Sequence, residues 1–439
     1  MSRSRDPLER SASTRRGLLA AIGCLPLAGC TELWSRSSPS INGDRLAAIV
    51  DDTDVPTVDH EYPLPVSDDH VEASVQQVGE LIESIPQPID TETIPNEAVR
   101  ERIERRRERA SEDLEAAPDE PTSRDLLERL RNAHGSGAEA AGIWEAVDDE
   151  QTRDDVSESV ADLRTARLEF DQEWEYHVGD DPLEAVFTYA DTSRLTDEAF
   201  EEITAVTDID EPVESLAVGE MAAHREKGRV ALEDAVHVYS RYVDSLEETD
   251  TTVIAEAAET LEAELSGEWW MLQPEYDAHE LVDRDIDPDS TSASVLANVR
   301  WDLRGERRGA PSIDFEPARY VQYAHGALLA LDGFERVRAR IDGGDSIEID
   351  DADDVDAYRI EAIDGIKSLL EEDSRPLERQ TAFDLTARFD QPDRSLRSAA
   401  GESIDSESVT YPVAQYCWFA GMAEATPEVV DTVYEALEA

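Results

Sequence analysis

Apolar residues recur at three- and four-residue steps along most of this chain, while alternating runs are scarce. Val71, Val75, Val78, Ile82 and Ile85 follow Ser67 and Asp68 in that rhythm until Pro86 stops it. This is the pattern of an amphipathic helix with a capped start. Residues 95–116 predict a charged helix with a thin stripe of Val99, Ile103, Ala110 and Leu114. Thr122 or Ser123 caps a segment carrying Leu126, Leu127 and Leu130, whose continuity Gly135 and Gly137 weaken. Val156, Val160, Leu163, Phe170 and Trp174 share one face between 152 and 177, and Gly179 reads as a C-terminal cap. Asp181-Pro182 then opens another helix with a cap residue and a proline at the first helical position.

Further helical stretches are predicted over 196–206, 212–247, 251–266, 291–304, 317–341, 354–371, 375–388, 408–424 and 427–438. Ser346-Ile347-Glu348-Ile349 is a short strand candidate. No fixed repeat period emerges. The expected fold is all-α, an irregular multi-helix bundle or helical-hairpin array of roughly ten to thirteen helices.

Charge changes this picture. The chain has 103 acidic and 40 basic residues, a formal net charge of −63 and a pI near 4.2. Of the basic side chains only Lys227 and Lys367 are lysines. A disordered polyacid would lack hydrophobic periodicity, whereas here 40% of residues are hydrophobic and the acids are spread through amphipathic patterns. The balance resembles that of proteins from extremely halophilic archaea, in which acids replace lysine on the surface. At about 1 M salt the Debye length is roughly 3 Å, so the self-repulsion of such a surface is largely screened. The same charge argues against nucleic acid as a partner, because phosphate binding needs clustered cations.

The N-terminus carries a different pattern. Arg3, Arg5, Arg10, Arg15 and Arg16 precede an uncharged run from Gly17 to Ala28, which ends in Leu27-Ala28-Gly29-Cys30. The run is too short for a membrane span, which takes about 20 apolar residues. The paired Arg15 and Arg16 followed by this box resemble the export signal of a twin-arginine-translocated lipoprotein. The resemblance implies cleavage before Cys30, lipidation of its sulfur, passage through the twin-arginine translocase, and anchoring to the outer face of the cell membrane. Cys24 is the alternative acceptor, but it leaves only about seven apolar residues behind the arginines. The expected layout is therefore a signal over 1–29, a tether and extended segment over 30–66, and a helical domain over 67–439 with a sub-boundary near 283–292. With Cys24 in the signal and Cys30 lipidated, Cys417 stands alone and no internal disulfide is expected.

Candidate chemistry is sparse. Arg300, Arg304, Arg307 and Arg308 with Trp301 form a basic patch at an expected helix end, and Tyr320, Tyr323 and His325 follow. Guanidinium groups converging there suit a small anionic or aromatic ligand, with Trp301, Arg304, Arg307, Arg308, Tyr323 and His325 as its binding residues. The Arg100–Arg109 run is accounted for by pairing with Glu101, Glu104 and Glu108 one turn away. His224 and His237, read near one helix face with Glu220 and Glu233, are a weak metal candidate that fits no established spacing. The alternating Asp283, Asp285, Asp287 and Asp289 miss the glycine and glutamate of a calcium loop. Asp350-Asp351-Ala352-Asp353-Asp354 suits the positive end of a helix. Trp269–Leu272 and Tyr416–Phe419 are expected core anchors. No nucleophile elbow, phosphate loop or dinucleotide fingerprint occurs, so no cofactor, metal or catalytic residue is assigned. The reading is a non-catalytic ligand-binding or protein-interaction role at the cell surface. A secreted helical enzyme and a structural envelope protein are the alternatives.

Overall fold

A computed structural model describes residues 40–439 apart from 149, 248–249, 268, 270–276 and 314. Arg15, Arg16, Cys24 and Cys30 lie outside the described residues. The described residues open with β1 (Ser40–Asn42) and α1 (Gly43–Asp52), then cross an extended stretch to α2 (Asp68–Glu83). Next come α3 (Glu97–Ala116), α4 (Ser123–Val147), α5 (Arg153–Glu173), α6 (Pro182–Ala205) and α7 (Glu214–Asp244). A second series follows: α8 (Val253–Ser266), α9 (Thr291–Arg308), α10 (Pro317–Asp342), α11 (Ala352–Ser368), α12 (Pro376–Arg388) and α13 (Asp390–Ser398). β2 (Ser403–Asp405) and α14 (Thr410–Glu438) end the chain. The fold is all-α. Its one sheet among the described residues is the antiparallel pair β1–β2, with Ile41 opposite Ile404.

Local cap chemistry explains many of the boundaries. Ser67 accepts the backbone N–H of His70 at the start of α2, and Thr152 with Asp155 forms a reciprocal capping box on α5. Asp181 accepts from Leu183 and Glu184 ahead of Pro182. Asp351 caps α11, with Asp354 bonding back to it, so the acidic run over 350–354 serves the helix start as expected. Tyr416, Cys417, Trp418 and Phe419 are all buried.

Several expectations are corrected. Residues 43–52 are helical where a tether and extended chain were expected, because Leu46, Ile49 and Val50 fall on one buried face behind an Asn42 cap. The segment from Thr53 to Val66, with Pro56, Pro63 and Pro65, contains no helix or strand. The strand candidate over 346–349 buries alternate Ile347 and Ile349 but belongs to no sheet, Ile347 N–H instead donating to Ser292 Oγ at 2.9 Å. α4 runs through Gly135 and Gly137, and α14 continues through Pro427. Around Pro427, the Thr426 hydroxyl donates to the Met422 carbonyl at 2.8 Å, and burial of Val429, Val430 and Val433 holds the following turns in line.

The helices form two groups. α7 lies against α4, α5 and α6, and α4 also packs on α3 and α2; in the second series, α14 packs on α8 to α13. α6 and α10 join the groups, and the described residues make one compact unit. Glycine permits close crossings. A Cβ on Gly219 of α7 would stand 2.3 Å from Ile143 of α4, and one on Gly421 of α14 only 2.5 Å from the Gly333 carbonyl oxygen of α10.

The stretch from Thr53 to Ser67 ties both groups together. Its Thr53 carbonyl accepts from Arg359 of α11 at 2.7 Å, and the Glu61 carboxylate pairs with Arg379 of α12 at 2.7 Å. At its far end Ser67 N–H donates to His237 Nε2 of α7 at 3.2 Å.

Candidate functional site

Where this strap passes the α6–α10 junction, the structure holds a cavity of about 370 Å³. α12 supplies its polar wall. Leu377, Gln380, Thr381, Asp384, Leu385 and Arg388 follow one another at helical spacing, so polar side chains occupy positions whose phase otherwise faces a core. Gln380 is buried and its orientation is fixed: Oε1 accepts the Glu61 N–H at 3.0 Å, so its amide donates to Asp384 Oδ1, also at 3.0 Å. Oδ2 of Asp384 has no hydrogen-bond partner among the described residues. This carboxyl is open to solvent within the cavity yet ringed by protein, as a group on the floor of a concavity is. The desolvation pushes its pKa up to about 6, against the Gln380 hydrogen bond and the charges of Arg388 and Arg124.

Two imidazoles meet the same space. His325 of α10 is buried, and burial pushes its pKa down to about 4, so the ring is neutral at pH 7. The Thr381 hydroxyl donates to the Leu377 carbonyl at 2.9 Å and therefore accepts from His325 Nε2–H at 3.2 Å. His60, on the strap, is held below its ordinary pKa by burial and by Arg124. Its Nδ1 accepts the Tyr62 N–H at 3.1 Å, which leaves the ring proton on Nε2. Arg124 of α4 is ion-paired with Asp191 of α6, which also meets Arg194. Arg388 donates to Glu306 of α9 at 3.1 Å. Phe187, Leu329, Leu385 and Met422 are the apolar part of the lining.

Of the residues singled out from sequence, Tyr323 and His325 line this cavity. Trp301, Arg304, Arg307 and Arg308 do not. The basic patch was expected at a helix end with a turn through Gly305, but α9 continues to Arg308 and keeps these side chains in a row along the helix. Trp301 is 70% exposed, Arg307 stacks over Trp269 at 5.8 Å, and Arg300 is buried. Glu306, from the same helix, is the α9 residue that reaches the cavity.

The other candidates resolve into structural roles. Thirteen residues on a helix turn through about 220° beyond three full turns and rise roughly 20 Å, so His224 and His237 share neither a face nor a site. His224 Nδ1 bonds Glu202 at 2.5 Å, and His237 stacks on His70 at 4.1 Å. Asp283 and Arg284 donate backbone N–H groups to Asp342, and Asp287 closes its own turn on Asp289. In the Arg100–Arg109 run, Arg105 pairs with Glu101 as expected. Arg102 and Arg106 instead reach across to buried Glu139 of α4, at 2.5 and 2.7 Å. Asp277, His279 and Glu280 place ligand atoms within 4.8 Å of one another, where Glu280 is engaged in capping the Asp277 backbone at 2.9 Å.

Two family models match the chain. A domain of unknown function, DUF8262, matches residues 69–249, and a second, DUF8264, matches residues 251–435. No curated protein and no solved structure matches it. The two matches meet at residue 250, and the cavity draws on both. Arg124, Phe187 and Asp191 belong to the first match, the residues of α9, α10, α12 and α14 to the second, and His60 to neither.

Sequence reasoning missed His60, Arg124, Asp191, Gln380, Thr381 and Asp384. They come from four separate elements, so no local spacing links them all. The polar stripe on α12 was the readable sign, since Gln380 and Thr381 put polar side chains at core-phase positions of an amphipathic helix.

Proposed function

We propose that this chain is a twin-arginine-exported lipoprotein of a halophilic archaeon. It is tethered through Cys30 to the outer face of the membrane, and its helical domain captures a small polar ligand without transforming it. The observation that carries the ligand reading is the cavity, where three carboxyls, two imidazoles and two guanidinium groups from separate helices and the strap converge on one space. The signal supports the location: Arg15 and Arg16 stand ahead of a short apolar run ending at Cys30. A second reading, a secreted enzyme, is favoured by Asp384, whose raised pKa suits proton transfer near neutral pH.

The anchor is tested by Cys30→Ser in the native host. The variant is expected in the culture medium, whereas continued membrane retention refutes lipidation at that sulfur. Ligands eluted unchanged from the purified wild-type protein support capture, and turnover of an eluted compound supports the enzyme.

A further inference from the structure

We infer that the cavity selects a small organic cation over an anion, its ammonium group seated on the Asp384 carboxylate and its apolar body against Phe187, Leu329 and Met422. This rests on the cavity being the ligand site and adds the class of ligand. Charge pairing carries the argument. The cavity's two guanidinium groups are each engaged, Arg124 with Asp191 and Arg388 with Glu306. Arg124 also feels the charges of Glu198 and Asp125, beyond the cavity, and of Asp384 within it. An anion would have to displace Asp191 or Glu306 from its arginine and then lie beside Asp384. A cation displaces nothing.

Oδ2 of Asp384 is the free acceptor, and Gln380, locked by the strap, holds the carboxyl in place through Oδ1. A charge-assisted N–H···O contact in a protein-ringed site is among the stronger polar contacts available. The charged groups that act on Asp384 are Arg124 from α4 and Arg388 from its own helix, and the cavity's other titratable groups are His60 from the strap, Asp191 from α6, Glu306 from α9, and Tyr323 and His325 from α10. Both imidazoles are held below their ordinary pKa, so the charges against a bound cation are those of Arg124 and Arg388, each offset by its own carboxylate, Asp191 or Glu306. The long-range field agrees, since a net charge of −63 favours cations at any concave surface, although molar salt confines the effect to short range.

The test is titration of the full folded protein in molar KCl with benzylammonium and, separately, with benzoate, followed by calorimetry and ligand-observed NMR. Benzylammonium is expected to bind and benzoate not. Asp384→Asn keeps the shape of the side chain and should weaken benzylammonium by about tenfold or more, the loss of one charge-assisted contact. A wild-type pH profile gives an independent readout: affinity should hold above pH 6 and fall as pH drops below it, as a proton competes for Asp384. Benzoate binding in preference overturns the cation inference and keeps the cavity as a ligand site. Binding of neither probe overturns both. Benzylammonium affinity unchanged in Asp384→Asn and flat with pH overturns the assignment to Asp384.

Discussion

Replacing Arg359 by methionine should cost this fold more than a typical surface change, and the structure sets the scale. Arg359 is 1% exposed and its partner Asp393 5%. The pair is bidentate, Nε to Oδ1 at 3.0 Å and Nη2 to Oδ2 at 2.9 Å. Nη1 donates to the Thr53 carbonyl at 2.7 Å, and the Tyr416 hydroxyl donates to Asp393 Oδ1 at 2.6 Å. Arg359→Met therefore strips two donors from a buried carboxylate, leaving it the tyrosine alone, and also frees the Thr53 carbonyl. Breaking one side of such a pair costs about 3–5 kcal/mol. At about 2 °C per kcal/mol, suited to a large domain, that is a fall in Tm of roughly 6–10 °C. Urea unfolding in molar KCl, followed by far-UV circular dichroism, gives the free energy directly. The loss should be nearly the same at two salt concentrations, because buried pairs are little screened. Arg359→Met combined with Asp393→Leu should recover much of it, since the uncompensated charge goes too. A loss below about 1 kcal/mol in the single variant would refute the view that this network is an integral part of the core.

Two further outcomes follow from the same electrostatics. The folded pKa of His325, about 4, lies below the ordinary histidine value of 6.5, so its contribution to stability is present above pH 6.5 and is lost as pH falls toward 4, by up to roughly 3 kcal/mol. His325→Gln should flatten that part of the stability–pH curve, and an unchanged slope would show that the imidazole is not buried neutral. Dialysis to low-millimolar salt should abolish the far-UV helical signal, because the Debye length then far exceeds the spacing of surface carboxylates; retention of the full signal would sink the halophilic reading of the composition.

What the sequence made legible was local. Ser67, Thr122 and Asp181 each announce a helix start through their own side-chain oxygen, and each does cap one. The aromatic peak over 416–419 reads as core because a chain with so few large hydrophobes must use those it has. Tertiary choices were less accessible. α13 was not foreseen because its short buried face is Pro392, Asp393 and Leu396, and Asp393 is polar and owes its burial to Arg359, 34 positions away. His325 was foreseen as a ligand residue for a patch of arginines that does not form around it. Its partner is Thr381, and the carboxyl beside them, Asp384, looks in sequence like any other acid of an acidic chain.

The two helix groups differ in how they fill their interiors, and the difference bears on how an acidic chain tolerates salt. The main apolar cluster joins α1, α6, α8 and the helices that follow it, while the α2–α7 group is filled by smaller, separate clusters. Within the α2–α7 group lie buried polar pairs: His134 bonds Glu226 at 3.1 Å and Ser74 at 3.0 Å, and Arg131 reaches Asp234 at 3.1 Å. Burial would raise the Glu226 carboxyl, but hydrogen bonds from His134 and Arg229 prevail and hold it down to about 2. Salt acts on these interactions unequally. It screens repulsion between carboxylates in water within a few ångströms, yet reaches buried pairs weakly. A protein that places its repulsive charges outside and its attractive pairs inside therefore gains from concentrated salt without losing what holds its helices together. Lysine scarcity fits this division, because arginine keeps its charge when buried and meets a carboxylate with two parallel bonds, as Arg359 does with Asp393.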